Sequence, residues 1–155
     1  MIILKKLFVV TILLVMLTSC ATMEPISKND LIVVKVVEKV YSKEKLFSLT
    51  NEWLARTFVS SKDVIDYKNE EEGKIICKGY LPINYTGLGN AYLRLILTID
   101  VKDNKVRMVY ECLYNEVNGM KSEIVNKFQV GKINEKINEL MESFNNYINK
   151  SDDNW

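Results

Sequence analysis

The sequence predicts an α+β two-layer sandwich, a five-stranded antiparallel sheet with two helices on one face, in the order strand, helix, four strands, helix. Three observations predict it. Apolar residues recur at helical spacing twice, at Leu46, Leu49, Trp53, Leu54 and Phe58, and again at Ile133, Ile137, Leu140, Met141, Phe144 and Ile148, so each helix has a stripe to bury. Between them, two long β-rich runs flank Asp103-Asn104, which suits a two-residue hairpin turn. Pairing those runs across the turn puts Val101 with Val106, Ile99 with Met108, Leu97 with Tyr110, Leu95 with Cys112 and Leu93 with Tyr114 on one face, all apolar or aromatic. The other face receives Asp100 with Arg107, Thr98 with Val109, Ile96 with Glu111, Arg94 with Leu113 and Tyr92 with Asn115, a mixed set. A sheet that is apolar on one side needs one covering layer, and the two helices supply it.

The elements follow in order. Residues 31–41 (LIVVKVVEKVY) are dense in β-branched side chains and read as a strand. Lys35, Glu38 and Lys39 do not alternate cleanly in it, which suits a sheet edge. Ser42 is a natural N-cap for the first helix, which the stripe carries to about residues 59–61. Residues 64–68 and 74–81 read as strands joined by the turn Asn69-Glu70-Glu71-Glu72-Gly73, whose consecutive glutamates point in different directions and make a solvated loop. Residues 82–90 (PINYTGLGN) read as a longer hairpin loop, because their Gly-x-Gly lacks the strand-to-helix setting that cradles phosphate. Residues 118–130 read as irregular, with a helical turn around 123–127, and the second helix starts near Lys132.

Before the domain, Lys5 and Lys6 precede an uncharged apolar run over residues 7–17, the layout of a secretory signal. That run is shorter than the roughly 20 residues a membrane-spanning helix needs. At its end, Leu17-Thr18-Ser19-Cys20 resembles the lipobox of bacterial lipoproteins. The resemblance implies that the leader is removed, that the Cys20 sulfur receives a diacylglycerol and that the new amine is acylated. Two or more acyl chains anchor stably where one does so only marginally. Ala21, rather than an acidic residue, follows Cys20, which by analogy with sorting in Gram-negative envelopes implies the outer membrane, facing the periplasm. The domain map is therefore a signal peptide at 1–19, a lipidated tether at 20–30, the α+β domain at 31–150 and a tail at 151–155.

Lys and Arg total 21 against 20 Asp and Glu, which is no nucleic-acid footprint. The chain has no histidine, so every Ser-His and Cys-His nucleophile arrangement is excluded, and Cys77 and Cys112 cannot complete a zinc site. No cofactor motif is present. A catalytic role would need paired carboxylates or a Lys or Tyr base, and only Asp63 with Asp66 or Glu111 with Glu116 offer themselves.

The lipobox, Glu52-Trp53-Leu54-Ala55, Ser61-Lys62-Asp63-Val64-Ile65 leading to Gly73-Lys74-Ile75-Ile76 and Lys78-Gly79, and Thr98-Ile99-Asp100-Val101-Lys102-Asp103 together resemble an uncharacterised family of envelope lipoproteins whose domain is described as TATA-binding-protein-like. The resemblance implies a fold and a compartment, not DNA binding, since topology does not carry function. It also implies a strand order of first, fifth, fourth, third, second. Cys77 and Cys112 then lie on either side of Leu95, about 9.5 Å apart, too far for a disulfide.

On this reading the chain is a non-catalytic binding module of the envelope, with a protein or glycan partner. Its open sheet face carries Lys74, Ile76, Lys78, Tyr80, Tyr92, Arg94, Ile96, Glu111 and Leu113, with Tyr80 beside Tyr92 and Lys78 beside Arg94. Such a surface can stack on a sugar or pair with an anion. The alternative is a structural envelope component that forms a homodimer through the Val-rich first strand.

Overall fold

Side chains alternate across a strand, and β4 (Ala91–Lys102) shows the consequence most plainly. Ala91, Leu93, Leu95, Leu97, Ile99 and Val101 are buried, and the residues between them are not. Around this strand the chain forms a 3₁₀ turn (Lys28–Leu31), β1 (Ile32–Glu38), α1 (Lys43–Thr57), β2 (Ile65–Asn69), β3 (Lys74–Ile83), β5 (Lys105–Val117), β6 (Met120–Ser122) and α2 (Lys127–Lys150). The structure is a computed structural model that describes residues 26–58, 64–85 and 91–151. The leader and Cys20, Asp63, residues 86–90 of the expected loop and the tail from 152 lie outside the described residues.

The sheet is antiparallel in the order β1-β5-β4-β3-β2, with β6 beside β1 on the same flank of β5. The expected two-layer α+β architecture holds, with a sixth short strand added. That strand occupies part of the segment read as irregular. Asn118 and Gly119 take φ of 51° and 78°, and two positive φ values make the tight turn that returns Met120–Ser122 onto Asn115–Val117. Asn-Gly is a strong hairpin signal, outweighed in the sequence by the polar run after it.

Other boundaries also move. β1 starts at Ile32, because residues 28–31 close a 3₁₀ turn in which the Ser27 N–H donates to the Asp30 carboxylate at 2.7 Å. α2 begins at Lys127, five residues before the expected start. Asn126 caps it by accepting from the Gln129 N–H at 2.9 Å, and the Gln129 side chain accepts from the Val125 N–H at 2.8 Å. β3 runs through Pro82 to Ile83, where a loop was expected. Among the described residues β2 pairs only with Lys74–Cys77, which leaves that flank of β3 unpaired at Pro82, where a missing N–H is tolerated.

α1 ends at Thr57. It starts on two oxygens: Ser42 Oγ accepts from the Lys45 N–H at 3.3 Å, and Asp103 Oδ1 accepts from the Lys43 N–H at 2.8 Å. The β4–β5 turn thus helps cap a helix sixty residues away in sequence.

The core is the apolar sheet face under the two helix stripes. Trp53 lies edge-on to Phe144, with ring centroids 5.0 Å apart, and to Phe58 at 6.4 Å. Tyr110 is fully buried, and burial pushes its phenol up; its hydroxyl lies 3.3 Å from Met141 Sδ and 3.4 Å from Met108 Sδ. Cys77 and Cys112 are buried free thiols, pushed up by desolvation to about 12 and about 11. Cys112 stands opposite Leu95 as expected, but Cys77 stands opposite Leu97.

Candidate functional site

The hairpin register read from the sequence holds from Lys102–Lys105 down to Leu95–Cys112, and then it slips by one. β5 inserts Leu113 as a bulge, so Arg94 pairs with Tyr114, Leu93 with Asn115 and Tyr92 with Glu116. A bulge re-aims every side chain beyond it. Tyr114, expected against the helices, belongs to the open face. Asn115, expected on the open face, is buried at 1% exposure. Its Oδ1 accepts from the Tyr85 hydroxyl at 2.6 Å, while its Nδ2 has no partner among the described residues.

The third and fourth strands also pair two residues away from expectation. Tyr80 stands opposite Arg94, Tyr92 opposite Pro82 and Lys78 opposite Ile96. Tyr80 and Tyr92 are therefore not direct neighbours, nor are Lys78 and Arg94. A two-residue slip leaves every side chain on its expected face and changes only its company.

The open face consequently divides into three zones. At one end Asp100 lies between Lys74 and Arg107, 3.9 Å from each. The middle is aliphatic, with Val34, Val109, Thr98 and Ile76 in one row across four strands, flanked by Ile32, Val36 and Ile96. Glu111 sits in this zone between Ile32 and Ile96, and Lys78 is held 2.8 Å from Asp66.

At the other end Tyr80, Arg94 and Tyr114 form one row across β3, β4 and β5, and Pro82, Tyr92, Glu116 and Lys121 form the next. The Arg94 guanidinium lies over the Tyr80 ring at 4.7 Å, and the Lys121 ammonium lies over the Tyr114 ring at 5.0 Å. A hydrogen bond to the Tyr114 hydroxyl raises the Tyr80 phenol, with desolvation and the Glu116 carboxylate adding to it and Arg94 opposing. Among the described residues no carboxylate approaches Arg94 or Lys121 within 4.0 Å. This end thus offers two cations held over tyrosine rings, and a further exposed ring, Tyr92. Anion pairing and stacking are both available there.

Of the expected binding residues, the fold brings Tyr80, Tyr92 and Arg94 together and leaves Lys78 and Glu111 outside the cluster. Tyr114, Glu116 and Lys121 complete it, and only the bulge and β6 put them there. Glu111 and Glu116 do share the open face, but they stand opposite Ile96 and Tyr92, four residues apart on β4, which separates them by roughly 13 Å. That exceeds the span at which two carboxylates act on one bond. Asp63 lies outside the described residues, and these hold no group of three acidic or cysteine residues placed for a metal.

The groove over the helix layer is a weaker candidate because its polar groups engage one another. The Tyr147 hydroxyl donates to Glu52 at 2.8 Å, Arg56 lies over the Tyr147 ring at 5.4 Å and Trp53 Nε1 donates to Ser143 at 3.3 Å. No described helix is long and apolar enough to cross a membrane.

The pattern of a family described as a domain of unknown function (DUF4468) with TBP-like fold matches residues 34–114. Among solved structures, a TBP-like protein from Parabacteroides distasonis superposes with a TM-score of 0.60 at 11% identity, covering 78% of this chain and 97% of its own. A DUF4468 family protein from Bacteroides ovatus gives 0.50 at 11% identity, covering 84% and 86%. At that identity these two likenesses speak for the fold. No curated protein matches the sequence.

Proposed function

The chain belongs to the DUF4468 family, domains of unknown function with a TBP-like fold, and on that premise we propose that it is a lipid-anchored envelope protein acting as a non-catalytic binding module. Cys20 carries the lipid, and the aromatic and cationic end of the open face carries the ligand. The lipobox-like Leu17-Thr18-Ser19-Cys20 supports the anchor. The single observation that supports the site is Arg94 and Lys121 lying over the rings of Tyr80 and Tyr114 without a carboxylate within 4.0 Å among the described residues.

A cation held against a ring has already lost part of its hydration, so an incoming anion has less water to displace. Tyr92 adds an exposed ring beside it. The ligand this favours is an acidic glycan, whose carboxylate meets Arg94 and whose sugar face lies on a tyrosine.

Titration calorimetry with galacturonic acid oligosaccharides, beside neutral galactose oligosaccharides, tests the site. The acidic series is expected to bind, to weaken as salt rises, and to lose at least about tenfold in affinity in Arg94→Ala, about what one charge-assisted hydrogen bond contributes. Tyr80→Ala is expected to act in the same direction. Equal behaviour of acidic and neutral sugars, or indifference to both variants, overturns the site. Fractionation tests the anchor separately: Cys20→Ala is expected to leave the lipid-modified membrane fraction, and retention there with acylation intact overturns it.

A further inference from the structure

β1 is a terminal strand of the sheet, and its hydrogen-bonding parity can be read from its end. The Lys39 N–H donates to the Asn104 carbonyl at 3.0 Å, in line with the register that pairs Glu38 with Lys105. Alternation then turns the amides of Val33, Lys35 and Val37 toward β5, and those of Ile32, Val34 and Val36 outward. The side chains of Ile32, Val34 and Val36 lie on the open face at 45%, 49% and 47% exposure, three successive apolar positions on one face of one strand. Among the described residues β1 therefore presents unpaired backbone groups at Ile32, Val34 and Val36 and an aliphatic row along the same edge.

We infer that β1 pairs with β1 of a second copy, antiparallel, about a two-fold axis through Val34. The charge pattern selects that register. Centred on Val34, the pairing sets Ile32 against the partner's Val36 and Val34 against the partner's Val34, and it puts Lys35 opposite the partner's Val33. Centred on Lys35, it sets two ammonium groups face to face in a narrow, non-hydrogen-bonded pair and Ile32 against the partner's Glu38, a like-charge contact that is destabilising. Shifting the centre to Val36 sets Val34 against the partner's Glu38. Only the Val34 register joins all the exposed aliphatic residues of β1 to one another; Glu38, on the same face, falls past the partner's Ile32, at the level of its 3₁₀ turn. The two sheets then continue through the junction with helices on one side, and the aliphatic middle of the open face becomes continuous. This inference is independent of the glycan site, which lies at the far end of β3, β4 and β5.

Light scattering on the full chain in detergent, across the micromolar range, tests the association. A mass that rises to that of a dimer is expected. Val34→Lys puts opposed ammonium groups at the axis on a half-exposed position, so it is expected to raise the dissociation constant at least about tenfold with an unchanged circular dichroism spectrum. Crosslinking tests the register in a Cys20→Ala background, where Cys77 and Cys112 are buried. Directly opposed residues at a hydrogen-bonded site lie about 5.5 Å apart, within disulfide reach, so Val34→Cys is expected to crosslink to its counterpart and Lys35→Cys is not. A monomer at every concentration, a dimer indifferent to Val34→Lys, or crosslinking through Lys35→Cys instead each overturns the inference.

Discussion

Replacing Trp53 by alanine is expected to cost about 3–5 kcal/mol of folding stability, the range for truncating a large buried aromatic. Trp53 is 1% exposed and bridges the two helices, edge-on to Phe144 of α2 and to Phe58 beyond the end of α1. Each such ring pair contributes about 0.5–1.5 kcal/mol beyond area burial, and both pairs are lost with the indole. Urea unfolding followed by circular dichroism measures the loss. Trp53→Phe keeps a ring in the site and is expected to recover about half of it. Ser143→Ala, which removes only the acceptor of the indole N–H, is expected to cost under about 1 kcal/mol because that bond is long and partly exposed. If Ser143→Ala matched Trp53→Ala, the hydrogen bond rather than the rings would hold the helices together.

Trp53 was legible in the sequence because helical periodicity is local: Leu46, Leu49, Trp53 and Leu54 declare one face without reference to anything else. The β4–β5 register was legible for a similar reason, since a two-residue turn leaves no freedom in pairing. Register was illegible wherever the connection was long. Between β3 and β4 the pattern fits equally well after a slip of two residues, so parity alone allows Tyr80 beside Tyr92, whereas it lies opposite Arg94. The bulge at Leu113 was hidden for a different reason. Tyr114 is as acceptable against the helices as Leu113 is in solvent, and nothing local marks Asn115 as buried. Tyr85, thirty residues away, offsets part of that cost by bonding Oδ1 and leaves Nδ2 without a partner among the described residues.

The open-face cluster was consequently half visible. Tyr80, Tyr92 and Arg94 follow from strand parity alone. Tyr114 and Glu116 reach the same face only because the bulge reverses parity, and Lys121 only because Asn118 and Gly119 accept positive φ and fold β6 back. Two irregularities at one end of β5 thus convert an alternating strand into one that gathers aromatic and charged side chains on a single face. Bulges used in this way re-aim side chains at functional sites, which is why the cluster, rather than the regular aliphatic middle, carries the proposed ligand.

Gly73→Ala is the second substitution expected to be severe, at about 3 kcal/mol or more, and no stripe or alternation predicts it. Gly73 closes the β2–β3 turn at φ 65°, a conformation that costs an L side chain about 1–2 kcal/mol. Its N–H donates to the Glu70 carbonyl at 3.0 Å, and its own carbonyl accepts from the Val101 N–H at 2.6 Å, which draws the turn against β4. A Cβ at this position would meet the Val101 carbonyl oxygen, a backbone atom that cannot rotate away, with Lys43 Cδ 3.5 Å off on another side. Relieving that overlap means moving the turn off β4, adding an overpacking cost of about 1–3 kcal/mol. Comparison with Gly73→Asn separates the two contributions. Asparagine tolerates the left-handed region better than alanine does, so if backbone conformation dominated, Asn would recover most of the loss. Because the side chain of either residue meets the same carbonyl, Gly73→Asn is expected to unfold at a urea midpoint no higher than Gly73→Ala, with both well below the parent chain.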